Sequence, residues 1–161
     1  HSPGLLLAQT LRADVQHKLA DGWVSQRYGE KRPAPALRST IKSSNANFDT
    51  LLLPWRDIEP TVHLEDVAVE ARGANITAPS ALRINLQSGD KRTTDFWFHS
   101  HDKEVLNWRI DRFEFTGRWV FWREADYGRV LHAVSHSGAS LRSTQNGRTA
   151  QIALEIEGTI A

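Results

Sequence analysis

Cysteine and methionine are both absent from this 161-residue chain. Without cysteine there can be no disulfide, no thiolate nucleophile and no cysteine-ligated zinc. Without methionine, even at position 1, the sequence reads as a processed chain or a piece of a longer polypeptide, and any catalytic machinery upstream lies outside it. No apolar run is longer than Leu5–Ala8, whereas a helix that spans a bilayer needs about 20 such residues. No basic start followed by an apolar block marks a signal peptide. An excess of charge is missing too. A formal net charge of +1 leaves no overall field to draw in nucleic acid or an anionic membrane, so neither is an expected partner. Phosphate-cradling glycine loops, Gly-x-Ser-x-Gly elbows and nucleic-acid motifs are also lacking, and no cofactor is implied.

What the chain does contain is the make-up of a globular protein, with 40% hydrophobic and 24% charged residues. At this length one domain buries roughly 70% of the unfolded chain's surface. No linker or internal repeat is visible, so residues 1–161 read as a single domain. Arginine outnumbers lysine 15 to 5. Arginine forks grip carboxylate and sulfate groups two bonds at a time, although the codon usage of a genome produces the same excess.

Short alternating segments separated by turn signals run through the whole chain. Leu5–Val15 is expected as a strand leading to a turn at Asp21-Gly22, with a short strand over Trp23–Tyr28 before a Gly29–Pro35 loop. Leu37–Lys42 and Phe48–Leu53 read as a hairpin around Asn45-Ala46-Asn47. Thr61–Ala71 changes its apolar phase near Glu65-Asp66, which calls for a bulge or break. Leu82, Ile84 and Leu86 alternate with polar residues, and Gly89-Asp90 turns the chain into Thr93–His99. Trp108–Phe115 changes phase again. Arg118–Glu124 is bulky on both faces, as suits a strand in the middle of a sheet. Asn146-Gly147 is the strongest hairpin signal, and Thr149–Glu157 closes the fold with Ile152, Leu154 and Ile156 inward. Only Asp102–Asn107 offers a helical turn. These segments predict an all-β protein, an antiparallel two-sheet β-sandwich of about ten to twelve strands.

Several groups of residues have chemical potential. His99-Ser-His101-Asp102 places two imidazoles on one side of a strand beside a carboxylate, as a metal site requires; the same string also reads as a polar strand end. His132, His136 and His63 read as satisfied, partly buried histidines. Tyr28 stands among Arg27, Lys31 and Arg32. Cations lower a phenol's pKa, and a phenolic base beside them suits β-elimination from a uronic acid; a tyrosine in such a loop otherwise anchors it by packing its ring. Of the six tryptophans (Trp23, Trp55, Trp97, Trp108, Trp119 and Trp122), one or two are expected to be exposed and able to stack on sugar. Asn75-Ile-Thr77 matches a glycosylation acceptor.

Gly22-Trp23-Val24-Ser25, Tyr28-Gly29-Glu30-Lys31, Pro33-Ala34-Pro35 and Phe48-Asp49-Thr50-Leu51-Leu52-Leu53-Pro54 occur in that order. In order and spacing they resemble the C-terminal β-sandwich of the heparinase II/III-like bacterial polysaccharide lyases. Phe121-Trp122-Arg123-Glu124, Gly128-Arg129-Val130 and Gly138-Ala139-Ser140-Leu141 are similar to the closing strands of such proteins. The resemblance implies a periplasmic or secreted parent that cleaves acidic glycans, of the heparan sulfate or alginate type, by β-elimination. It places no catalytic residue in this chain, because no motif here matches the family's catalytic Asn, His and Tyr. The expected partners are therefore the upstream catalytic portion of the same protein and an acidic polysaccharide, with Arg27, Tyr28, Lys31 and Arg32 as substrate-binding candidates. A stand-alone carbohydrate-binding module for acidic polysaccharide is the alternative. The third reading is an enzyme using Tyr28 or the His99/His101 pair. A module calls for a groove lined by exposed aromatics; a supporting domain calls for an exposed apolar face.

Overall fold

The computed structural model describes residues 4–10, 14–43, 48–72, 80–101, 107–125, 128–136 and 139–156. Asn75–Thr77, Asp102 and the possible helical turn after it lie outside the described residues. So does the Asn45-Ala46-Asn47 turn. The expected all-β sandwich is present, and no helix occurs among the described residues, hence none long and apolar enough to cross a membrane. The chain divides into two compact units, His1–Thr10 with Thr50–Ala161, and Leu11–Asp49.

The first unit contains the sandwich. One sheet has six strands in the order β15 (Glu155–Ile156), β12 (Val130–Ser135), β11 (Trp119–Ala125), β8 (Lys91–His99), β7 (Ser80–Ser88) and β5 (Thr61–Asp66). The other has five, in the order β14 (Arg148–Ile152), β13 (Ser140–Gln145), β10 (Phe113–Thr116), β9 (Asn107–Ile110) and β6 (Glu70–Arg72). All pairings are antiparallel except the short β12–β15 contact. A further two-stranded sheet pairs β1 (Gly4–Gln9) with β4 (Thr50–Trp55).

Both phase changes in the sequence have a structural cause. Val62 and Leu64 pair with Leu86 and Ile84 in the six-stranded sheet, after which the chain leaves it at Asp66. It enters the five-stranded sheet at Glu70, and Val67, Val69 and Ala71 then pack on the core. The phase slip thus marks a crossing between layers. The second one is a hairpin: Ile110 pairs with Phe113 and Trp108 with Phe115, so all four side chains face inward across a two-residue turn. Asp111 takes the positive φ of 50° that this turn needs. These breaks, with the two- and three-residue strands β15 and β6, raise the number of strands among the described residues to fifteen.

The core between the sheets is aromatic. Phe96 lies flat on Trp122 at a centroid distance of 4.8 Å, while Phe98 meets Phe115 edge-on at 4.8 Å. Trp108 is buried, and its Nε1 donates to the carbonyl of Gly117 at 3.0 Å. That bond satisfies the one polar group a buried indole carries. β11 lies between β8 and β12, with Val120 and Trp122 buried in the core and Trp119 and Phe121 half-buried on the opposite face. This is the two-sided environment its bulk predicts. Leu82 and Ile84 also point away from the main core, yet both are buried. On that side the β1–β4 sheet approaches, and a crevice of 220 Å³ is lined by Leu53 and Trp55 on one side and Leu86, Thr93 and Arg123 on the other.

At one end of the sandwich a charged group is enclosed. Glu124 is buried, with Oε1 3.1 Å from the Arg112 guanidinium in an ion pair that forms no aligned hydrogen bond. Arg112 donates to the carbonyl of Gly128 at 2.7 Å and lies over Phe113. Burial pushes the Glu124 carboxyl above its ordinary value of 4.5, against the pull of Arg112 and Trp122. A carboxyl with a raised folded pKa holds more protons folded than unfolded. Its contribution is therefore full in acid and is lost as pH rises from about 4.5 through the raised value. Glu124→Gln is expected to flatten that part of the stability profile, read as the urea midpoint at successive pH values. A slope equal to that of the parent protein would assign the dependence to another group.

The second unit departs from the expected layout. Val15–Val24 (β2) and Arg32–Ile41 (β3) form one continuous antiparallel ribbon, joined by a turn over 25–31. Asp21-Gly22 is therefore mid-strand rather than a turn, the Gly29–Pro35 loop is half strand, and Leu37–Ile41 pairs with β2 rather than with Phe48–Leu53. The prolines misled the reading. Pro33 and Pro35 face Trp23 and Asp21, two positions apart, so both fall at the same class of cross-strand pair. Their missing N–H groups can then lie on the outer edge of a two-stranded ribbon, where no ladder bond is lost. Gly22 serves close approach, since a Cβ there would stand 2.9 Å from both the Ala34 carbonyl oxygen and the Ala36 Cβ.

Candidate functional site

The four substrate-binding candidates come together at the tip of this ribbon. Arg27 and Tyr28 lie in the turn, Lys31 closes it, and Arg32 opens β3 opposite Val24. The turn is ordered by its own backbone: Ser25 Oγ donates to the carbonyl of Arg27 at 2.7 Å, and the amide of Glu30 donates to the same oxygen at 3.1 Å. Gly29 takes a φ of 83°, a conformation that costs glycine little. Glu30 stands 3.9 Å from the Arg32 guanidinium, an exposed and weak pair.

Tyr28 is fully exposed, so it does not anchor the turn by packing its ring, as a loop tyrosine commonly does. What the tip offers is three cations and a planar ring within six residues of one turn, all exposed to solvent.

Trp23 adds a second element. It is 68% exposed, the only tryptophan among the exposed large hydrophobic side chains of the described residues. Leu19, Asp21 and Trp23 share one face of β2 with Pro33, Pro35 and Leu37 opposite. An open hollow of 890 Å³ follows this part of the ribbon, with Lys18, Asp21, Trp23 and Pro33 among its lining residues. Trp23 is thus one of the one or two tryptophans expected to be exposed. Its exposure was legible in the period-two set Leu19, Asp21, Trp23, which is apolar at both ends yet belongs to a two-stranded unit with no third strand to cover it.

The remaining candidates are dispersed. Trp108 and Trp122 are core residues, and Trp55, Trp97 and Trp119 are half-buried. The His99 and His101 rings meet edge-on at 4.5 Å, with Trp97 stacked on His99 at 5.9 Å. No group of three His, Asp or Glu side chains converges among the described residues. His63, His132 and His136 are exposed rather than partly buried. His63 lies on the opposite face of β5 from Val62 and Leu64, and His132 meets Phe121 edge-on at 6.4 Å. Comparison of the chain with protein-family models, with curated proteins and with solved structures gave no match.

Proposed function

We propose that this chain is the C-terminal β-sandwich of a polysaccharide lyase of the heparinase II/III-like kind, and that it holds acidic glycan of the heparan sulfate or alginate type rather than cleaving it. The observation that carries this reading is the ribbon tip. Arg27, Lys31 and Arg32 lie in or beside one ordered turn with the exposed Tyr28, in the same stretch that resembles the lyases. Arginine forks match carboxylate and sulfate groups, and lysine adds a point charge.

A supporting role alongside an upstream catalytic portion has its own observation. On the β1–β4 sheet Leu5 is 62% and Leu52 57% exposed, with Leu7 and Pro54 exposed on the same face. An apolar face of this kind belongs against another surface. The binding-module reading is favoured instead by Trp23 and the hollow beside it.

Titration of the chain with heparin and alginate oligosaccharides tests the reading. Binding is expected at low salt and is expected to weaken as salt rises. Combined replacement of Arg27, Lys31 and Arg32 by alanine is expected to weaken it by about tenfold. Absence of binding to either glycan, or binding indifferent to the triple replacement, would remove the ribbon tip from the site. Release of unsaturated uronate by this chain alone would move the chemistry into it and overturn the supporting role.

A further inference from the structure

The outward face of the five-stranded sheet has a different character from the aromatic one opposite. One row crosses all five strands: Glu70 faces Arg109, Arg109 faces Glu114, Glu114 faces Arg142, and Arg142 faces Gln151. The next row carries Asn107, Thr116 and Ser140, with the two hydroxyls 3.1 Å apart. Two hollows of 280 and 400 Å³ lie on this face and share Arg109 and Glu114. One extends to Asn107, Thr116 and Ser140, the other to Asp111, Arg112 and Thr144. Together they follow β9 from residue 107 to 111, a length of about 13 Å at 3.3 Å per residue.

The arginines along this groove are held in place. Arg109 Nε donates to the carbonyl of Asp111 at 3.1 Å, and Arg142 Nε donates to Gln151 Oε1 at 3.1 Å. Bonding through Nε fixes each guanidinium plane. Arg109 keeps a loose pairing with Glu70 at 3.8 Å. The groove thus alternates groups that only donate with groups that only accept. The charges along it are matched, Arg109 with Glu70, Asp111 with Arg83, Arg112 with Glu124 and Arg142 facing Glu114, so a polyanion gains nothing from the local field. A sugar hydroxyl both donates and accepts, and a ring bearing adjacent hydroxyls can satisfy an arginine and a carboxylate side by side. Trp108 and Phe115 turn their side chains into the core, so recognition here is by hydrogen bonds rather than ring stacking.

We propose that this face is a second glycan site, which reads the hydroxyl groups of uncharged sugar rings. It does not depend on the ribbon tip or on the lyase reading. The test uses the full chain with neutral oligosaccharides of gluco, manno and galacto configuration, and with oligogalacturonate in its free and methyl-esterified forms. The two galacturonates share ring and hydroxyls and differ in charge. Calorimetry and amide chemical shifts are the readouts. At least one uncharged ligand is expected to bind, to shift amides over 107–116 and 140–144, and to bind similarly at low and high salt. Glu114→Gln, which preserves size, is expected to weaken that binding by about tenfold or more. The triple replacement at the ribbon tip is expected to leave it unchanged. The proposal is overturned if no uncharged ligand binds, if only free oligogalacturonate binds, or if Glu114→Gln has no effect. Loss of acidic-glycan binding in the ribbon variant, with neutral binding intact, would keep the two sites distinct.

Discussion

Replacing Trp122 with alanine is expected to destabilise the sandwich by about 3–5 kcal/mol, a large part of the 5–15 kcal/mol that holds a domain of this size folded. Trp122 has no solvent exposure. It stacks on Phe96 at 4.8 Å and 9°, and packs against Phe113 at 4.8 Å and Phe115 at 5.8 Å. Its removal takes out the largest side chain that the six-stranded sheet sets against Phe113 and Phe115 of the other, and three neighbouring rings fixed in their own strands cannot close the gap. Phenylalanine at this position separates ring packing from the indole N–H. That N–H is buried and forms no aligned hydrogen bond, though it draws weakly on the Glu124 carboxyl, so its loss forfeits little. Trp122→Phe is expected to cost only the lost volume, about 1–2 kcal/mol. Urea unfolding followed by far-ultraviolet circular dichroism measures both. An alanine variant within about 1 kcal/mol of the parent would mean that the two sheets do not meet at Trp122.

The sandwich was legible wherever burial on one face dictated an alternation. Ile110 and Phe113 both face the core across a hairpin that appears in sequence only as a slip of phase. The slip between Val62 and Val67 marks a layer crossing instead: Val62 pairs with Leu86 on the outward side of the six-stranded sheet, and Val67 packs on the core. Asn146-Gly147 takes φ values of 51° and 72° in the turn between Gln145 and Arg148, the backbone its composition predicts. Pairing over long distances was not legible. β1 pairs with β4 across the whole ribbon unit, and nothing local in Leu5–Ala8 selects Leu51–Pro54 over a nearer strand. The last strand is likewise two: Ile152 ends β14 in one sheet, and Glu155–Ile156 joins the other.

At the candidate site the four residues are neighbours, but not in the loop expected to hold them. Arg27, Tyr28, Lys31 and Arg32 are close because the chain turns there, not because a proline-rich loop collects them. The prolines lie one turn further on, in a strand. Composition alone cannot separate a Pro-x-Pro loop from a Pro-x-Pro edge strand, because both fix φ and both forgo an amide donor. The outward row Glu70, Arg109, Glu114, Arg142 and Gln151 was invisible for another reason. Its members come from five strands spread over 82 residues of sequence and meet only through register.

Register also sets the second large effect. Asp95 on β8 faces Arg123 on β11, and the two form a bidentate pair at 2.7 and 2.6 Å. Their surroundings differ: the Asp95 side chain is 5% exposed, and that of Arg123 is 40%. The hydrogen bonds that Arg123 donates to Asp95 raise the Arg123 pKa above its already high value, overcoming the cost of burial, so the cation persists at every accessible pH. Removing one partner should therefore hurt unequally. Arg123→Ala leaves a buried carboxylate with no cation and is expected to cost about 3 kcal/mol. Asp95→Ala leaves an arginine that can turn towards solvent, and after allowance for that exposure about 1 kcal/mol is expected. Replacing both with leucine is expected to cost less than Arg123→Ala alone, because neither charge is then stranded and the site adjoins Leu53, Trp55 and Leu86 in the crevice under the β1–β4 sheet. Urea midpoints for the two single variants and the double variant measure the coupling. Equal costs for the two single variants would mean that Asp95 reaches water as readily as Arg123, and hence that the β1–β4 sheet does not shelter this end of β8.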